Sequence, residues 1–183
     1  MRKADGVLRP IPAAMRRQDK EIADSTLLPA VLEDAFVCRI GLADGDWPYL
    51  VPMNFAYADG HVYLHSAGEG KKIEILKRNN RVCFEAETGL ALVRAERACD
   101  FGTRYVSIIG TGIASFVTDL AEKSRALDLL MEKYAGGGSW LYPPAALRAV
   151  TVIRIDVETL TGKASGYTEE EVRRLLTGEP EGS

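Results

Sequence analysis

Apolar and polar positions alternate with a period of two over residues 61–66 and return with a helical period after Lys71. Two sets of side chains face opposite ways in the first segment: Val62, Leu64 and Ser66 against His61, Tyr63 and His65. Residues 67–70 contain two glycines. Beyond them the apolar residues recur at helical spacing: Ile73, Ile75 and Leu76. The pattern predicts a strand, a glycine-containing loop and a helix in succession.

Two lysines stand where the predicted helix begins. Free N–H groups and the macrodipole make a helix N-terminus electropositive, so acidic residues are favoured there, but this helix begins with Lys71 and Lys72. A phosphate group suits such a position. His65, Ser66 and the loop glycines add an imidazole, a hydroxyl and room for close backbone approach. The alternative is that both lysines are solvated and bind nothing, because short basic runs at helix ends are common.

Two further segments with a period of two precede this strand, at 36–42 and 47–57. Asp44-Gly45 and Asp59-Gly60 are hairpin signals at the two junctions, so the three segments predict an antiparallel meander. The middle segment has one apolar and largely aromatic face, which we expect to be core or subunit interface: Trp47, Tyr49, Val51, Met53, Phe55 and Tyr57.

Two prolines lie on the other face of the middle strand, Pro48 and Pro52. Proline cannot donate a hydrogen bond to a sheet and is tolerated mainly at an edge or a bulge. We therefore expect the sheet to open near Pro52, which would leave neighbouring backbone groups available to a ligand. The alternative is a plain solvent-exposed edge.

The rest of the chain predicts three more strands and several helices. The strands fall at 81–87, 103–116 and 148–160, and the helices at 20–34 (interrupted by Pro29), 119–134 and 169–176. Gly110 and Gly112 share one face of their strand, which indicates a bend or a close backbone approach. Six strands joined mostly by tight turns predict a mainly β fold with flanking helices, a closed or nearly closed antiparallel barrel.

Length and charge set the broad class of the protein. The 183 residues suit one domain, with a basic arm at 1–18, a folded domain at 19–165 and a C-terminal helix and tail at 166–183. The net charge of −3 differs from the strongly basic balance typical of nucleic-acid binding. No apolar run approaches the roughly 20 residues that span a bilayer, and no signal peptide is evident. We expect neither a nucleic-acid partner nor membrane association.

The cysteines indicate a reducing compartment, and the histidines do not suggest a metal site in the protein. Cys38, Cys83 and Cys99 are widely spaced and form no CxxC pair, which is typical of the cytoplasm. We interpret them as structural, because no base accompanies them. The two histidines lie on one strand without an acidic or thiol partner nearby, so no metal site is predicted. The segment HSAGEGKK matches neither a dinucleotide-binding fingerprint nor a P-loop.

Four segments of the chain are informative together: PYLVPMNFAY, HVYLHSAGEGKKIEIL, RVCFE and CDFGTRYVSIIGTG. They resemble the FMN-binding split barrel superfamily, which is related to pyridoxamine 5′-phosphate oxidase. The nitroimidazole-resistance (Nim-type) branch is the most similar. The specific part is the HxAxxGxK element at 65–72 combined with the last segment. The resemblance covers roughly residues 20–165. It implies a six-stranded antiparallel split β-barrel, usually homodimeric, with FMN bound in clefts between the subunits.

The resemblance also implies roles for individual residues. Lys72 corresponds to the phosphate-binding lysine, with Lys71 beside it, and the positions that line the cofactor or meet its ring are His65, Ser66, Val51, Pro52 and Asn54. Tyr105 and Ser107 correspond to the strand across from the flavin. Trp140, on the glycine-rich loop 136–140, either covers a ligand or packs in the dimer.

His65 is the candidate catalytic residue. It is the one side chain near the proposed cofactor whose pKa suits proton transfer at neutral pH. The alternative is that it only packs or contacts phosphate. The chain departs from the vitamin B6 oxidases because no histidine follows His65, and from many relatives because Val106 stands where they have arginine. Oxidation of vitamin B6 is therefore not expected.

Three functions remain open from the sequence. The first is a flavin enzyme in which FMN takes electrons from NADH or NADPH and passes them to a small acceptor, such as a nitro compound. Because the cofactor carries the redox chemistry, few strong catalytic side chains are needed. The second is a non-enzymatic flavin- or haem-binding module for sensing or storage. The third is an assembly protein with an empty barrel cleft.

Overall fold

The computed structural model describes residues 15–178. The strands are β1 Cys38–Asp44, β2 Trp47–Met53, β3 Phe55–Ala58, β4 His61–Ser66, β5 Arg81–Val93, β6 Gly102–Val117 and β7 Thr151–Ser165. The helices are α1 Leu27–Asp34, α2 Lys71–Arg78, α3 Leu120–Ala135, α4 Pro144–Ala149 and α5 Glu169–Thr177, with 3-10 turns at Gln18–Lys20 and Ala98–Asp100. Most of the predicted basic arm and the end of the predicted tail lie outside the described residues.

All seven strands belong to one antiparallel sheet in the order β2-β1-β5-β6-β7-β4-β3. Its two outermost strands, β2 and β3, are consecutive in the chain and are separated only by Asn54. Met53 and Phe55 can be at most about 7 Å apart, so the sheet curls until its two edges meet at this corner. The fold is mainly β with flanking helices, as predicted.

The predicted strand count of six is wrong for this sheet. The single strand expected at 47–57 is divided at Asn54 into β2 and β3, and each half pairs with a different neighbour. Met53 pairs with Cys38 of β1, whereas Phe55 pairs with Leu64 of β4. The ladder is therefore not closed by hydrogen bonds between β2 and β3, and the opening expected near Pro52 falls two residues further on.

Turn chemistry sets the register of the hairpins as the sequence predicted. Asp44 pairs with Trp47 around a two-residue loop in which Gly45 has φ +63°. Ala58 pairs with His61 around Asp59 and Gly60, whose φ values are +51° and +81°. Positive φ at both Asp59 and Gly60 is the type I′ turn, which suits the twist of a two-residue hairpin.

The main core lies on one face of the curled sheet, and α1, α2 and α5 all contribute to it. Its fully buried members include Val31, Leu32, Phe55, Leu64, Ile73, Ile75, Phe84, Ile108, Ile155 and Val172. A second, smaller cluster lies beneath α3, where Ala126 packs with Tyr63, Val117 and Val152. The two faces of β4 therefore pack in different clusters, with Val62 and Leu64 in the main core and Tyr63 in the second. This is why three consecutive residues of the strand are all buried.

Gly110 and Gly112 face the main core at points of close approach, as predicted. A Cβ on Gly110 would lie 2.2 Å from the Phe84 ring, and one on Gly112 would lie 2.3 Å from the backbone oxygen of Asp156. The β6–β7 register also shifts between Thr111 and Gly112. Glycine is required here because a side chain would displace either an aromatic ring or a neighbouring strand.

Two local expectations have different outcomes. Pro29 does not divide a long helix, because α1 begins at Leu27 and the proline occupies its first turn, where a missing N–H costs nothing. The aromatic face of 47–57 belongs largely to the core, which is one of the two expected alternatives. Its members other than Trp47 are partly or fully buried against the main core: Tyr49, Val51, Met53, Phe55 and Tyr57. Trp47 remains 78% exposed.

Candidate functional site

The N-terminus of α2 is open for a ligand. Gly70 occupies the N-cap position with φ +112°, and no side chain caps the helix. The N–H groups of Ile73 and Glu74 both bond to the Gly70 carbonyl, at 2.9 and 3.2 Å. The N–H groups of Lys71 and Lys72 precede these and point out of the helix end. An acceptor with several oxygens would satisfy them together.

A buried hydroxyl lies just before this helix. Ser66 is 9% exposed, and its Oγ has no hydrogen-bond partner within the described residues. It faces the same way as Val62 and Leu64, and it pairs with Thr151 at the start of β7. A Cβ on Gly68 would lie 3.4 Å from the Thr151 Oγ1, so the loop crosses this threonine. Leaving such a hydroxyl unbonded costs about 1–3 kcal/mol, which an oxygen-rich ligand would recover.

The two lysines of α2 differ in their surroundings. Lys71 Nζ lies 3.3 Å from Asp44 Oδ2 and 5.1 Å from the centre of the Tyr49 ring. Asp44 also accepts a hydrogen bond from Arg78 at 2.7 Å. Lys72 is half-buried and forms no ion pair with any residue between 15 and 178. Lys72 is therefore the lysine whose charge remains for a ligand.

His65 and Asn54 lie at the corner where the sheet edges meet. Phe55 pairs with Leu64, so the next register position brings Asn54 beside His65. Both are exposed. Val51 is half-buried and Pro52 is exposed on the edge strand, where Pro52 pairs with Arg39. His65 adjoins Ser66 in the chain but faces the opposite side of β4, and Val51 and Pro52 lie on the edge strand β2.

Tyr105, Ser107 and Trp140 are not brought to this corner. Ser107 pairs with Lys163 and Tyr105 with Ser165, at the opposite end of β7 from Val152, the partner of His65. Trp140 lies half-buried between α3 and α4, with its ring 3.3 Å from the position of a Cβ on Gly138. One copy of the chain therefore supplies only part of the predicted set.

Several contacts on the far side of the sheet had no signal in the sequence. Lys163 Nζ donates to the Tyr105 hydroxyl at 2.7 Å, and Lys20 Nζ donates to Ser165 Oγ at 2.9 Å. The hydrogen bond from Lys163 is the main reason that the pKa of Tyr105 is lowered. These pairs join residues that are far apart in the chain, so no local pattern could predict them.

A separate cleft lies between α1, α3 and the edge strand β3. Its volume is about 540 Å³, and it is lined in part by Glu33, Tyr57, Arg125 and Lys133. Lys133 Nζ donates to the Leu32 carbonyl at 2.9 Å and lies 3.5 Å from the centre of the Phe55 ring. None of the predicted site residues lines this cleft, and Lys133 serves there as a bridge between the two helices and the strand.

The cysteines are free, and the described part of the chain holds no cluster of metal ligands. Burial raises the pKa of the Cys38 thiol to about 12 and also raises that of Cys83, so neither is an activated nucleophile. No group of three His, Cys, Asp or Glu side chains that could hold a metal ion occurs among residues 15–178. Within the same range, no helix is long and apolar enough to cross a membrane.

Comparison with protein families identifies the class. Residues 24–164 match the family model of pyridoxamine 5′-phosphate oxidase, and the chain belongs to that family. The resemblance inferred from the sequence is thereby confirmed. No curated protein sequence matches the chain.

Solved structures place the chain beside flavin-binding relatives. A candidate 5-nitroimidazole antibiotic resistance protein from Bacteroides thetaiotaomicron is 37% identical, with a TM-score of 0.70 over 79% of this chain and 86% of that one. Two others share the fold. The flavocytochrome Anf3 from Azotobacter vinelandii is 19% identical, with a TM-score of 0.73 over 87% and 78%. The FAD and haem binding protein from Mycobacterium smegmatis is 16% identical, with a TM-score of 0.72 over 84% and 79%.

Proposed function

We propose that the protein is an FMN-binding oxidoreductase whose cofactor phosphate sits at the N-terminus of α2. The observation that carries the proposal is the unpartnered, buried Ser66 Oγ beside an uncapped helix end. Lys72 and the first N–H groups of α2 would hold a dianionic phosphate there. The residues present fit a terminal phosphate, because they offer N–H and hydroxyl donors and the charge of Lys72, which forms no ion pair among residues 15–178.

The family and the neighbours support a flavin. The chain belongs to the pyridoxamine 5′-phosphate oxidase family, and its relatives include proteins described as binding FAD or haem. The terminal monophosphate of FMN suits the helix end best, because that end has donors on one side and open space around Gly70. Haem would require a side chain that binds its iron, and the exposed His65 is the candidate for that role.

The proposed reaction moves electrons from NADH or NADPH to a small acceptor such as a nitroaromatic or nitroimidazole. A bound flavin supplies hydride and electron transfer, and the protein binds, orients and shields it. Within this chain, His65 is exposed beside Asn54 and can deliver a proton to an acceptor oxygen. Val51, Pro52 and Asn54 would present the edge strand to the ring. A non-enzymatic flavin or haem carrier is the alternative, supported by structural neighbours that are described as binding FAD or haem.

The proposed active form is a two-fold symmetric homodimer with the cofactor at the seam. One face of the sheet, opposite the main core, exposes Leu50 (64%) and Ile109 (45%), and Tyr105 and Ser107 lie on this same face. Exposed large apolar residues on a sheet face are typical of an interface. In such a dimer, the cofactor site would combine His65 and Lys72 of one copy with Tyr105 and Ser107 of the other, completing the predicted set.

The proposed location is the cytoplasm. All three cysteines are free: Cys38 is buried, whereas Cys83 and Cys99 are exposed. Exposed thiols persist where glutathione and thioredoxin keep them reduced.

Three measurements test the proposed function. We expect the purified protein to be yellow, and we expect mass spectrometry of the released ligand to give FMN. NADPH or NADH should bleach the flavin bands, and a nitro compound should restore them. Bound FMN that no nicotinamide reduces would favour the carrier instead. A colourless protein that takes up neither FMN, FAD nor haem would contradict the proposal, and a monomeric mass by light scattering with FMN still bound would contradict the dimer.

A further inference from the structure

Four polar side chains form a cluster on the outer face of β6 and β7, away from α2. We call them the oxyanion cluster: Lys20, Tyr105, Lys163 and Ser165. Lys163 Nζ donates to the Tyr105 hydroxyl at 2.7 Å, and Lys20 Nζ donates to Ser165 Oγ at 2.9 Å. Tyr105 and Ser165 are direct partners in the β6–β7 register, so the two hydrogen-bonded pairs lie side by side.

The backbone before α1 brings Lys20 to this position. Glu21 forms a β-bridge with Lys163, and the Ile22 N–H donates to the Gly162 carbonyl at 2.9 Å. A Cβ on Gly162 would lie 2.5 Å from Leu28 and 3.0 Å from Ile22. Glycine at 162 therefore lets this segment pack directly on β7. The cluster depends on tertiary packing and not on a flexible surface chain.

The hydrogen-bond inventory of the cluster leaves several ammonium N–H donors unused. Each lysine uses one of its three N–H groups, and each hydroxyl accepts from a lysine. Ser165 also hydrogen-bonds to the Tyr105 side chain. The groups left over are the remaining ammonium hydrogens of Lys20 and Lys163 and the hydroxyl hydrogen of Tyr105. Ser165 is 7% exposed, so water reaches it poorly. A donor surplus of this kind matches a ligand that carries two or three acceptor oxygens.

The charges of the cluster also favour an anionic ligand. Within the described chain, neither Lys20 nor Lys163 forms an ion pair with a carboxylate. Two nearby acids are already engaged, Glu87 with Arg39 at 2.9 Å and Glu171 with Arg104 at 2.8 Å. Glu21, whose backbone bridges Lys163, is exposed and forms no ion pair among the described residues. Two ammonium groups around one pair of hydroxyls repel each other, and an anion between them removes that cost. The lowered pKa of Tyr105, caused first by Lys163 and then further by Ser165 and Lys20, has the same electrostatic origin.

We propose that the oxyanion cluster binds a carboxylate or phosphate group carried by the electron acceptor or donor, separately from the cofactor phosphate at α2. This rests on the proposed function, because the anion's role as part of a second substrate requires a flavin site elsewhere. In the proposed dimer, Tyr105 lies on the face that meets the second copy. The cluster would therefore hold the charged end of a substrate at the seam, and it selects for acidic acceptors over neutral ones.

Calorimetric titration with benzoate and with inorganic phosphate tests the site on both FMN-loaded and FMN-free protein. We expect each anion to bind FMN-loaded protein. Lys163→Met and Lys20→Met should each weaken that binding by about 10-fold or more, the loss of one charge-assisted hydrogen bond. Lys163→Arg should retain most of it, which separates lost charge from misfolding. Lys77→Met removes an exposed lysine of α2 and should change nothing.

Three outcomes would overturn or separate the proposals. Absence of anion binding to wild-type protein overturns this one, as does equal binding by the Lys163→Met, Lys20→Met and Lys77→Met variants. If FMN displaces the anion and Lys163→Met weakens FMN binding equally, the cluster holds the cofactor phosphate and the second-substrate role is wrong. If wild-type protein binds no FMN yet binds benzoate in a Lys163-dependent way, the proposed function fails and the anion site stands.

Discussion

Lys71 Nζ lies 3.3 Å from Asp44 Oδ2, so the first lysine of α2 is paired with an acid of β1 before any ligand binds. Lys72 has no such partner among the described residues. The pair with Asp44 is exposed and weak, yet it directs Lys71 away from the helix end. Two adjacent lysines that look equivalent in the sequence are therefore expected to differ in function.

The first prediction concerns these lysines. Lys72→Gln should weaken FMN binding by about 10- to 150-fold, the loss of a charge-assisted hydrogen bond worth about 1.5–3 kcal/mol. Lys71→Gln should weaken it less. The flavin-free Lys72→Gln protein should melt no lower than wild type, because a cation at a helix N-terminus is unfavourable without its anion. Flavin fluorescence titration and apo melting curves measure both effects, and wild-type affinity in Lys72→Gln would place the phosphate elsewhere.

The second prediction concerns His65. The imidazole is exposed, so His65→Ala should change the melting temperature little. If the imidazole transfers a proton, turnover with a nitro acceptor should fall by about 100-fold or more, and FMN affinity should fall much less. Turnover, FMN dissociation and melting temperature are to be measured on one preparation. Unchanged turnover in His65→Ala would remove this residue from the chemistry.

The third prediction concerns the close approach at Gly110. Gly110→Ala places a Cβ 2.2 Å from the Phe84 ring, and overpacking of this kind costs about 1–3 kcal/mol. Gly102 lies in the same strand with open space around it, so Gly102→Ala is the matched control and should change stability by less than about 0.5 kcal/mol. Urea denaturation measures both. Equal stabilities would show that Phe84 moves aside without cost.

The fourth prediction concerns the Tyr134 hydroxyl, which completes the free edge of β3. It accepts a hydrogen bond from the Phe55 N–H at 2.9 Å and donates to the Phe36 carbonyl at 2.8 Å. Tyr134→Phe leaves the Phe55 N–H without a partner and should cost about 1–3 kcal/mol. Tyr57→Phe is the control, since the Tyr57 hydroxyl forms no hydrogen bond within residues 15–178. Denaturant midpoints that match in the two variants would argue against this role.

The fifth prediction concerns pH. Hydrogen bonds from Thr26 and then from Arg173 hold the pKa of Asp24 at about 2, below its ordinary value of 3.8. A depressed carboxyl pKa stabilises the folded state above the unfolded pKa, and the effect is lost as pH falls through the folded pKa. Asp24→Asn should therefore melt below wild type at neutral pH, and the two curves should converge between pH 3.8 and about 2. A constant difference down to pH 2 would assign the effect to packing.

The sequence alone determined the local architecture of the protein. Hydrophobic period identified both ends of β4 and the start of α2, because alternation and helical spacing are properties of the chain itself. The turn dipeptides located both two-residue hairpins, because positive φ demands glycine, asparagine or aspartate. The same local chemistry singled out Ser66 and Lys72 as candidates, since their proximity follows from a loop of only four residues.

Tertiary structure alone decided how these pieces meet. It divided the strand at Asn54, because a curling sheet must pass its edge from β1 to β4. It paired Lys71 with Asp44 and left Lys72 without an ion pair among residues 15–178. It also brought Lys20 to Ser165 and Lys163 to Tyr105, pairs separated by 145 and 58 positions. Such contacts depend on register and packing between distant segments, and no local period records them.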